Sequence, residues 1–252
     1  MELSKRHAAI VERLRVADRL GVAELAAWIG TSEVTIRRDL EQLAAQGLLR
    51  RVRGGAVSLQ ARGEGPPFAL RERDAADAKR RIGAAVADLI AEGEAVVLDS
   101  GTTTLEVARA LAGRRVRVMP LSLPAADVLA AHPPTRVILP GGELLPGELS
   151  VSGPLAEAAL RALRFDTAVL GCCGAAVEHG VTAYDLPDAA VKSAAIASAR
   201  RVVLAADAAK FGRTAMALVA PFERIDVVVT DAGLPAEVGA ALDELEIEVH
   251  RV

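Results

Sequence analysis

The sequence has no uncharged apolar run that approaches the roughly 20 residues needed for a membrane-spanning helix, and it contains only two cysteines. The missing run favours a soluble protein, and charged residues occupy the N-terminal positions where a signal peptide would be apolar. We therefore expect a cytoplasmic protein. Cys172 and Cys173 are adjacent, which suits neither a disulfide framework nor a metal site with spaced ligands. We predict small buried thiols, with redox chemistry as the less favoured alternative, and we expect no metal and no cofactor.

Charge is distributed unevenly along the 252 residues. Residues 1–62 contain 11 Lys and Arg against 7 Asp and Glu, a net charge of +4, whereas the remaining residues contain 19 against 26, a net charge of −7. Together these give the −3 of the whole chain. A basic N-terminal segment before an acidic body predicts an anionic partner for the first part only.

Three short helices and a hairpin are predicted in the basic segment. Apolar residues recur at helical spacing in three places, namely Ile10, Leu14 and Ala17, then Leu25 and Ile29, then Ile36, Leu40 and Leu43. Gly30 suits the left-handed turn after the second helix, and Ser32 is available as the N-cap of the third. Gly54 and Gly55 then lie between two short β-prone runs, as in a tight hairpin.

The third helix would present polar residues to its surroundings near its N-terminus, because successive helical residues turn by about 100°. The residues outside its apolar stripe are Val34, Thr35, Arg37 and Arg38. Such a helix, preceded by another helix and a turn, could enter the DNA major groove, where Arg bonds guanine and Thr reaches a base edge or a thymine methyl. Hairpin arginines would neutralise phosphates, and these are Arg50, Arg51 and Arg53. The alternative is a docking domain with a solvated charged face.

A domain boundary is predicted where periodicity stops. Residues 59–72, which include Pro-Pro and Gly, are predicted to link an N-terminal domain (1–58) to a larger domain (73–252). Strands are predicted at Ala95–Leu98, Val116–Met119, Arg136–Leu139, Thr167–Gly171, Val202–Ala205, Asp226–Thr230 and Ile247–Val249, with helical patterns between most of them. This alternation is typical of an α/β fold with a mostly parallel sheet covered by helices on both faces.

The first strand of the larger domain leads into a possible anion-binding loop. Asp99 and Gly101 precede three threonines at the point where a helix is predicted to begin, near Thr104. Backbone N–H groups and the dipole at a helix N-terminus attract phosphate, and the hydroxyls of Thr102, Thr103 and Thr104 would add donors. Ordinary βα turns use the same residue types for capping, so both interpretations stay open.

Later strands supply further candidates, since ligands in open α/β sheets gather at the carboxyl ends of strands. Gly141 and Gly142 would permit close backbone approach. The charged candidates are Asp185, Asp188, Lys192 and Lys210. Lysine at a sheet edge is more often solvated or ion-paired than ligand-binding.

Residues 31–57, TSEVTIRRDLEQLAAQGLLRRVRGGAV, resemble the winged helix-turn-helix of the DeoR family of bacterial transcriptional regulators. The recognition-helix positions that the resemblance implies are Ser32, Thr35, Arg37 and Arg38. It also implies that Asp39 anchors the fold rather than touching DNA. Arg53 stands where the family often has His and keeps positive charge in the wing.

The larger domain resembles the sensor domain of the same family, a Rossmann-like α/β domain similar in fold to phosphosugar isomerases. The matching motifs are Asp99-Ser100-Gly101-Thr102-Thr103, Gly141-Gly142, Gly180-Val181-Thr182, Val191-Lys192, and Asp207 with Lys210-Phe211-Gly212. The resemblance implies a phosphorylated sugar or related metabolite as effector. It further implies that the threonine loop holds the phosphate and that Lys192 or Lys210 lies near the ligand.

The larger domain departs from the family pattern in three places. Pro120-Leu121-Ser122 stands where Thr-Asn-Ser is usual, so only Ser122 keeps its polar group there, which predicts an unusual or weakly bound effector. Asp188 stands where an acidic residue, often Glu, is expected, and its shorter side chain argues against isomerase proton transfer. Cys172-Cys173 replaces small residues, without a functional explanation.

The favoured hypothesis is a repressor of carbohydrate genes that binds double-stranded DNA under the control of the effector, with no catalytic residue. Homo-oligomers are expected, because two recognition helices need symmetric half-sites. The rival is a phosphosugar isomerase or deaminase with a docking module, whose acid/base pair would come from Asp185, Asp188 and Lys192. A third possibility is a pocket that has lost its sugar and responds to another anion or to nothing.

Overall fold

The chain forms two compact units, Met1–Asp74 and Ala75–Val252. The computed structural model describes residues 3–17, 19–45, 48–58 and 68–252. Of the predicted linker 59–72, residues 59–67 lie outside the described residues, whereas residues 68–73 are helical. No helix in the described residues is both long and apolar enough to cross a membrane.

The N-terminal unit contains the predicted three helices and hairpin, followed by a further helix. Its described elements are α1 (Leu3–Ala17), β1 (Arg19–Gly21), α2 (Val22–Ile29), α3 (Glu33–Ala45), β2 (Leu49–Val52), β3 (Gly55–Ser58) and α4 (Phe68–Arg73). Strand β3 pairs antiparallel with both β2 and β1, which gives the order β1-β3-β2. Strand β1 was not predicted, because three residues between two helices carry no recognisable alternation.

The core of this unit is built from the predicted apolar stripes. Its fully buried side chains include Ile10, Leu14, Leu25, Ile36, Leu40 and Leu43. Ala17 is exposed, so the first stripe ends at Leu14. Gly30 ends α2 in the left-handed conformation (φ 74°) and donates its N–H to the Ala26 carbonyl at 3.0 Å. The glycine is suited to this position because a Cβ would make the conformation unfavourable.

The larger unit is an α/β domain. Its helices are α5 (Ala76–Asp88), α6 (Thr102–Leu111), α7 (Leu123–Ala130), α8 (Pro154–Ala162), α9 (Leu186–Ser198) and α10 (Ala236–Glu244). Its strands are β4 (Ala95–Leu98), β5 (Arg117–Pro120), β6 (Arg136–Val137), β7 (Glu143–Leu144), β8 (Val151–Ser152), β9 (Phe165–Leu170), β10 (Gly174–Ala176), β11 (Gly180–Ala183), β12 (Ala199–Ala205), β13 (Ala217–Ala220), β14 (Val227–Thr230) and β15 (Glu248–Arg251). Short 3-10 turns occupy Ala208–Lys210 and Phe222–Arg224.

The main sheet of this unit is parallel throughout, with the order β15-β14-β12-β9-β4-β5-β6. It contains all seven predicted strands, and β4 has the predicted ends. Strand β6 is shorter than predicted, and α6 begins at Thr102 rather than Thr104. From the neighbours β4 and β9 the chain proceeds in opposite directions, toward β5 and β12. This is the switch point, where open α/β sheets form ligand sites.

Two smaller sheets extend the domain beyond the parallel sheet. Strands β10, β11 and β13 form an antiparallel sheet, and β7 pairs with β8. The sequences of the first three strands, GAA, GVTA and ALVA, contain many Gly and Ala residues. These residues carry little β propensity, which is why the antiparallel sheet was not predicted.

Candidate functional sites

The N-terminus of α3 is fixed by its own hydroxyl groups. The Thr35 N–H donates to Ser32 Oγ at 3.2 Å, and the two hydroxyl oxygens lie 2.9 Å apart. Ser32 therefore caps α3, as predicted, and satisfies one of the backbone donors that a helix start leaves open. Both hydroxyls proposed as DNA contacts are already hydrogen-bonded to each other in the free protein.

The two α3 arginines differ in their partners. Arg37 and Arg38 are both exposed. Arg37 Nη2 donates to Glu33 Oε2 at 2.9 Å, an i,i+4 ion pair on the helix surface. Arg38, by contrast, has no hydrogen bond or ion pair within the described residues, so its guanidinium is available to a partner molecule.

Asp39, directly after these arginines, faces the core and is only 2% exposed. Its carboxylate accepts from Arg6 Nε at 2.6 Å and Arg6 Nη2 at 2.9 Å, and His7 Nε2 lies 3.2 Å away. Burial raises the pKa of Asp39, but the bonds from Arg6 and His7 outweigh it, so the pKa lies below its usual value. Asp39 thus ties α3 to α1.

Sequence reasoning missed Arg6 and His7. The available signal was Asp39 itself, which lies three residues after Ile36 and one before Leu40 on the buried side of α3. A carboxylate at that position needs a cationic or donor partner, because an unpaired buried charge is costly. Local spacing could not show which residue is the partner, because Arg6 lies 33 residues earlier in the chain.

The hairpin projects the remaining arginines. Arg50, Arg51 and Arg53 are exposed on or beside β2. Arg51 Nη1 donates to Glu41 Oε1 of α3 at 2.6 Å, which links the hairpin to α3. Among the residues that the structure describes, Arg50 and Arg53 have no such partner.

The two hairpin glycines serve different purposes. Gly54 adopts φ 81°, as a tight turn requires. At Gly55, a Cβ would lie 2.1 Å from the Leu20 carbonyl oxygen of β1, closer than any real contact. The second glycine is therefore needed because β1 passes directly over it.

The threonine loop lies at the carboxyl end of β4. Gly101 precedes α6 with φ 125°, and all three threonines occupy the first turn of the helix. Thr104 Oγ1 donates to the Gly101 carbonyl at 3.1 Å, so this hydroxyl stabilises the turn. The Thr102 and Thr103 hydroxyls have no partner among the described residues. They are not fully enclosed, since Thr230 Oγ1 alone is fully buried without a partner there.

A buried charge cluster lies where the loops after β4 and β9 meet. Lys192 Nζ of α9 lies 2.6 Å from both oxygens of Asp99, and the Gly171 N–H donates to Asp99 Oδ2 at 2.9 Å. Lys192 Nζ also lies 3.0 Å from Asp188 Oδ1. Asp99 and Lys192 are 1% and 3% exposed. Burial lowers the pKa of Lys192, but the two carboxylates raise it by more, so it lies above its usual value.

Other predicted residues of this site have roles within the fold. Asp185 caps α9 by accepting from the Asp188 N–H at 2.8 Å, and Ser122 caps α7 by accepting from the Ala125 N–H at 3.4 Å. Gly141 and Gly142 have φ values of 74° and 114°. A Cβ at Gly142 would lie 2.5 Å from the Ser152 carbonyl oxygen, so the close approach there is to β8 of the same chain.

The cysteines and Lys210 adjoin the same sheet edge. Cys172 and Cys173 directly follow Gly171, and both are partly exposed rather than buried as predicted. Burial raises the pKa of the Cys172 thiol to about 12, against an opposing effect of Lys210. Lys210, in the 3-10 turn after β12, is partly exposed. No group of His, Cys, Asp and Glu within the described ranges could hold a metal ion.

Known proteins match both units of the chain. Residues 6–62 match the DeoR-like helix-turn-helix domain, and residues 74–232 match the DeoR C-terminal sensor domain. The chain belongs to the DeoR family of transcriptional regulators. Its exposed α3 arginines are thus those of a helix-turn-helix, and its switch-point cluster lies in a DeoR sensor domain.

Several curated DeoR-type relatives cover almost the whole chain. The transcriptional repressor AccR of Agrobacterium fabrum is 36% identical over 90% of this chain and 89% of its own. The regulator GlpR of Haloferax volcanii is 33% identical over 93% and 92%. The glycerol-3-phosphate regulon repressor of Escherichia coli is 32% identical over 99% of both chains.

Solved structures give a weaker likeness. Ribose 5-phosphate isomerase A of Methanocaldococcus jannaschii is 15% identical, covers 55% of both chains and has a TM-score of 0.41. This likeness is too low to support an argument about activity.

Proposed function

We propose that the protein represses genes of carbohydrate metabolism by binding operator DNA, and that a phosphorylated sugar or related metabolite in the C-terminal unit controls this binding. The relatives support the proposal, since one of them is a glycerol-3-phosphate regulon repressor. The protein acts in the cytoplasm as a homo-oligomer, because paired half-sites require paired recognition helices.

In this proposal α3 enters the major groove and the hairpin contacts phosphates. Arg38 carries the base contact, since its guanidinium is exposed and unpaired in the described residues and can bond guanine in a bidentate manner. Arg50 and Arg53 contact phosphates. The charge of Arg37 is partly neutralised by Glu33, and that of Arg51 by Glu41.

The effector site is proposed on one observation: the hydroxyls of Thr102 and Thr103, at the N-terminus of α6, have no hydrogen-bond partner among the described residues. They lie in the first turn of α6, directly after the loop that begins at Asp99, at the switch point of the sheet. Helix N–H groups and two free hydroxyls form a suitable phosphate site. Lys192 is already bound by two carboxylates, so Lys210 is the better candidate for direct contact with the anion.

The turn Pro120-Leu121-Ser122 between β5 and α7 contributes little to this site. Leu121 is buried in the core, and the Ser122 hydroxyl is used to cap α7. The sugar part of the effector must therefore find its hydrogen bonds elsewhere, on the threonine loop and the charged groups. This agrees with an effector that differs from those recognised through Thr-Asn-Ser.

The enzyme alternative is less well supported by the same cluster. A general base must be unprotonated near neutral pH. The raised pKa of Lys192 keeps it protonated. Asp188 is ion-paired with Lys192, and Asp185 caps α9. We therefore assign no catalytic residue.

Fluorescence anisotropy tests the proposal with the full chain, a duplex from its own upstream region, and a scrambled duplex at fixed salt. We expect preferential binding that one member of a panel of sugar phosphates relieves. Thr102→Val and Thr103→Val should bind DNA normally and require at least tenfold more effector. Equal binding of both duplexes, or turnover of a sugar phosphate abolished by Asp188→Ala, would contradict the proposal.

A further inference from the structure

Val34 is an apolar residue in the first turn of α3 that the fold does not use. Its side chain is 61% exposed, and it lies outside the buried cluster of the N-terminal unit. The buried positions of α3 are Ile36, Asp39, Leu40 and Leu43, on the opposite side of the helix. Nothing in the described part of this unit covers Val34, although an exposed β-branched residue lowers helix propensity.

The polar neighbours of Val34 are already paired. The Ser32 and Thr35 hydroxyls are hydrogen-bonded to each other, and Glu33 is ion-paired with Arg37. The Ser32–Thr35 pair uses one of its two hydroxyl hydrogens, and the ion pair occupies Glu33 and Arg37, so contact with a base would compete with bonds that hold the helix start. Val34 and Arg38 carry no such cost, because neither has a polar partner among the described residues.

Val34 and Arg38 are four residues apart and share one face of α3, with Cβ atoms about 6 Å apart. Apolar side chains recognise the C5-methyl group of thymine in the major groove, whereas Arg recognises guanine. We infer that Val34 is a specificity residue that reads a thymine methyl, within about two base pairs of the guanine contacted by Arg38. This inference rests on the proposed DNA-binding function, to which it adds one defined base contact.

The test begins with selection of the preferred sequence from a random duplex pool by the full chain. Each thymine of that sequence is then replaced singly by uracil, which keeps the hydrogen-bonding edge and removes only the methyl. For the wild type we expect one position per half-site to lose about fourfold in affinity, the value of one buried methyl-sized group. For Val34→Ala the same replacement should have no effect.

Thr35→Ser is the matched control, because it keeps the hydroxyl that bonds Ser32 Oγ and removes the only other methyl group of this turn that is not buried. It should show the wild-type thymine-to-uracil profile. Val34→Ala should fold normally, since Ala favours an exposed helix position, and circular dichroism checks this. An unchanged profile in Val34→Ala, or loss of the effect in Thr35→Ser instead, would overturn the inference. A pool with no enriched sequence would remove the proposed function itself, and this inference with it.

Discussion

Asp39 in the DNA-binding unit and Asp99 in the sensor unit are both buried carboxylates that bind a cation from a distant helix. Arg6 meets Asp39 through two nitrogens and His7 lies 3.2 Å from the same carboxylate, so two neighbouring side chains of α1 hold one carboxylate on the buried side of α3. Lys192 instead divides its single ammonium between Asp99 and Asp188. In the sensor unit two carboxylates therefore share one cation, and burial raises the pKa of Asp99. The first arrangement ties α3 to α1, whereas the second ties the loop after β4 to α9.

Replacing Lys192, which Asp99 and Asp188 share, should have the largest effect on the free energy of unfolding. Lys192→Met leaves Asp99 buried without its cation, and breaking a buried pair in this way costs about 3–5 kcal/mol. Urea denaturation followed by circular dichroism would measure the loss. Lys210→Met is the control and should be nearly neutral, because Lys210 is partly exposed. A cost below about 1 kcal/mol for Lys192→Met would mean that the cluster is not held by its lysine.

Breaking the contacts of Asp39 should cost less stability than replacing Lys192, and this cost should depend on pH. Asp39→Asn should lose about 2 kcal/mol at pH 7, the scale of hydrogen bonds to a charged group. The pKa of Asp39 is lowered on folding, so its contribution is present above the unfolded value near about 4 and is lost as the pH falls through the lower folded value.

Denaturation of wild type and Asp39→Asn from pH 7 down to pH 2 would check this. We expect the difference between the two proteins to shrink steadily below about pH 4. A difference that stays constant to pH 2 would show that the carboxylate charge of Asp39 is not what stabilises the helix pair.

On the DNA face, Arg38→Ala should reduce specific affinity by about 1–3 kcal/mol and remove sequence discrimination. Arg37→Ala is the matched variant and should cost less, because Arg37 is already paired with Glu33. Affinity on specific and scrambled duplexes, measured at one salt concentration, separates the two. Equal loss on both duplexes for Arg38→Ala would disprove its role in base recognition.

The smallest effects are expected in the hairpin. Arg53→Ala should weaken binding to all duplexes alike and lower the salt slope of the affinity by about 1. Arg51→Ala should do so less, since Glu41 already offsets its charge and exposed pairs contribute about 0–1 kcal/mol. Affinity measured across a salt series would show the order. A larger effect at Arg51 than at Arg53 would indicate that Arg51 leaves Glu41 for DNA.

Much of the fold was readable because its elements carry strong local signals. The stripes of Ile36, Leu40 and Leu43 and the isolated apolar run Ala95–Leu98 led directly to α3 and β4. The sequence predicted the start of α6 two residues too late, because threonine has a low helix propensity although it suits the first turn of a helix. The short strand β1 was missed because its pairing with β3, not its own sequence, makes it a strand.

The candidate sites were readable as residues but not as pairs. Asp99 and Lys192 were both singled out, yet 93 residues separate them and their contact depends on the order of strands. Arg6 was not singled out at all, because its contact with Asp39 spans 33 residues. Capping roles at Ser122 and Asp185 were also hidden, because a hydroxyl or carboxylate before a helix suits a ligand and a cap equally well.

The close passage of β1 over Gly55 fixes the position of the hairpin backbone but does not restrict the charged side chains that the hairpin carries. Any side chain at Gly55 would collide with the Leu20 carbonyl, so the hairpin cannot be re-aimed by mutation at that position. Arg50, Arg51 and Arg53 meet no such restriction, because they project into solvent. Under the proposed role of the hairpin, substitution of these arginines would change the affinity for DNA one charge at a time, while the backbone of the hairpin stays where β1 holds it.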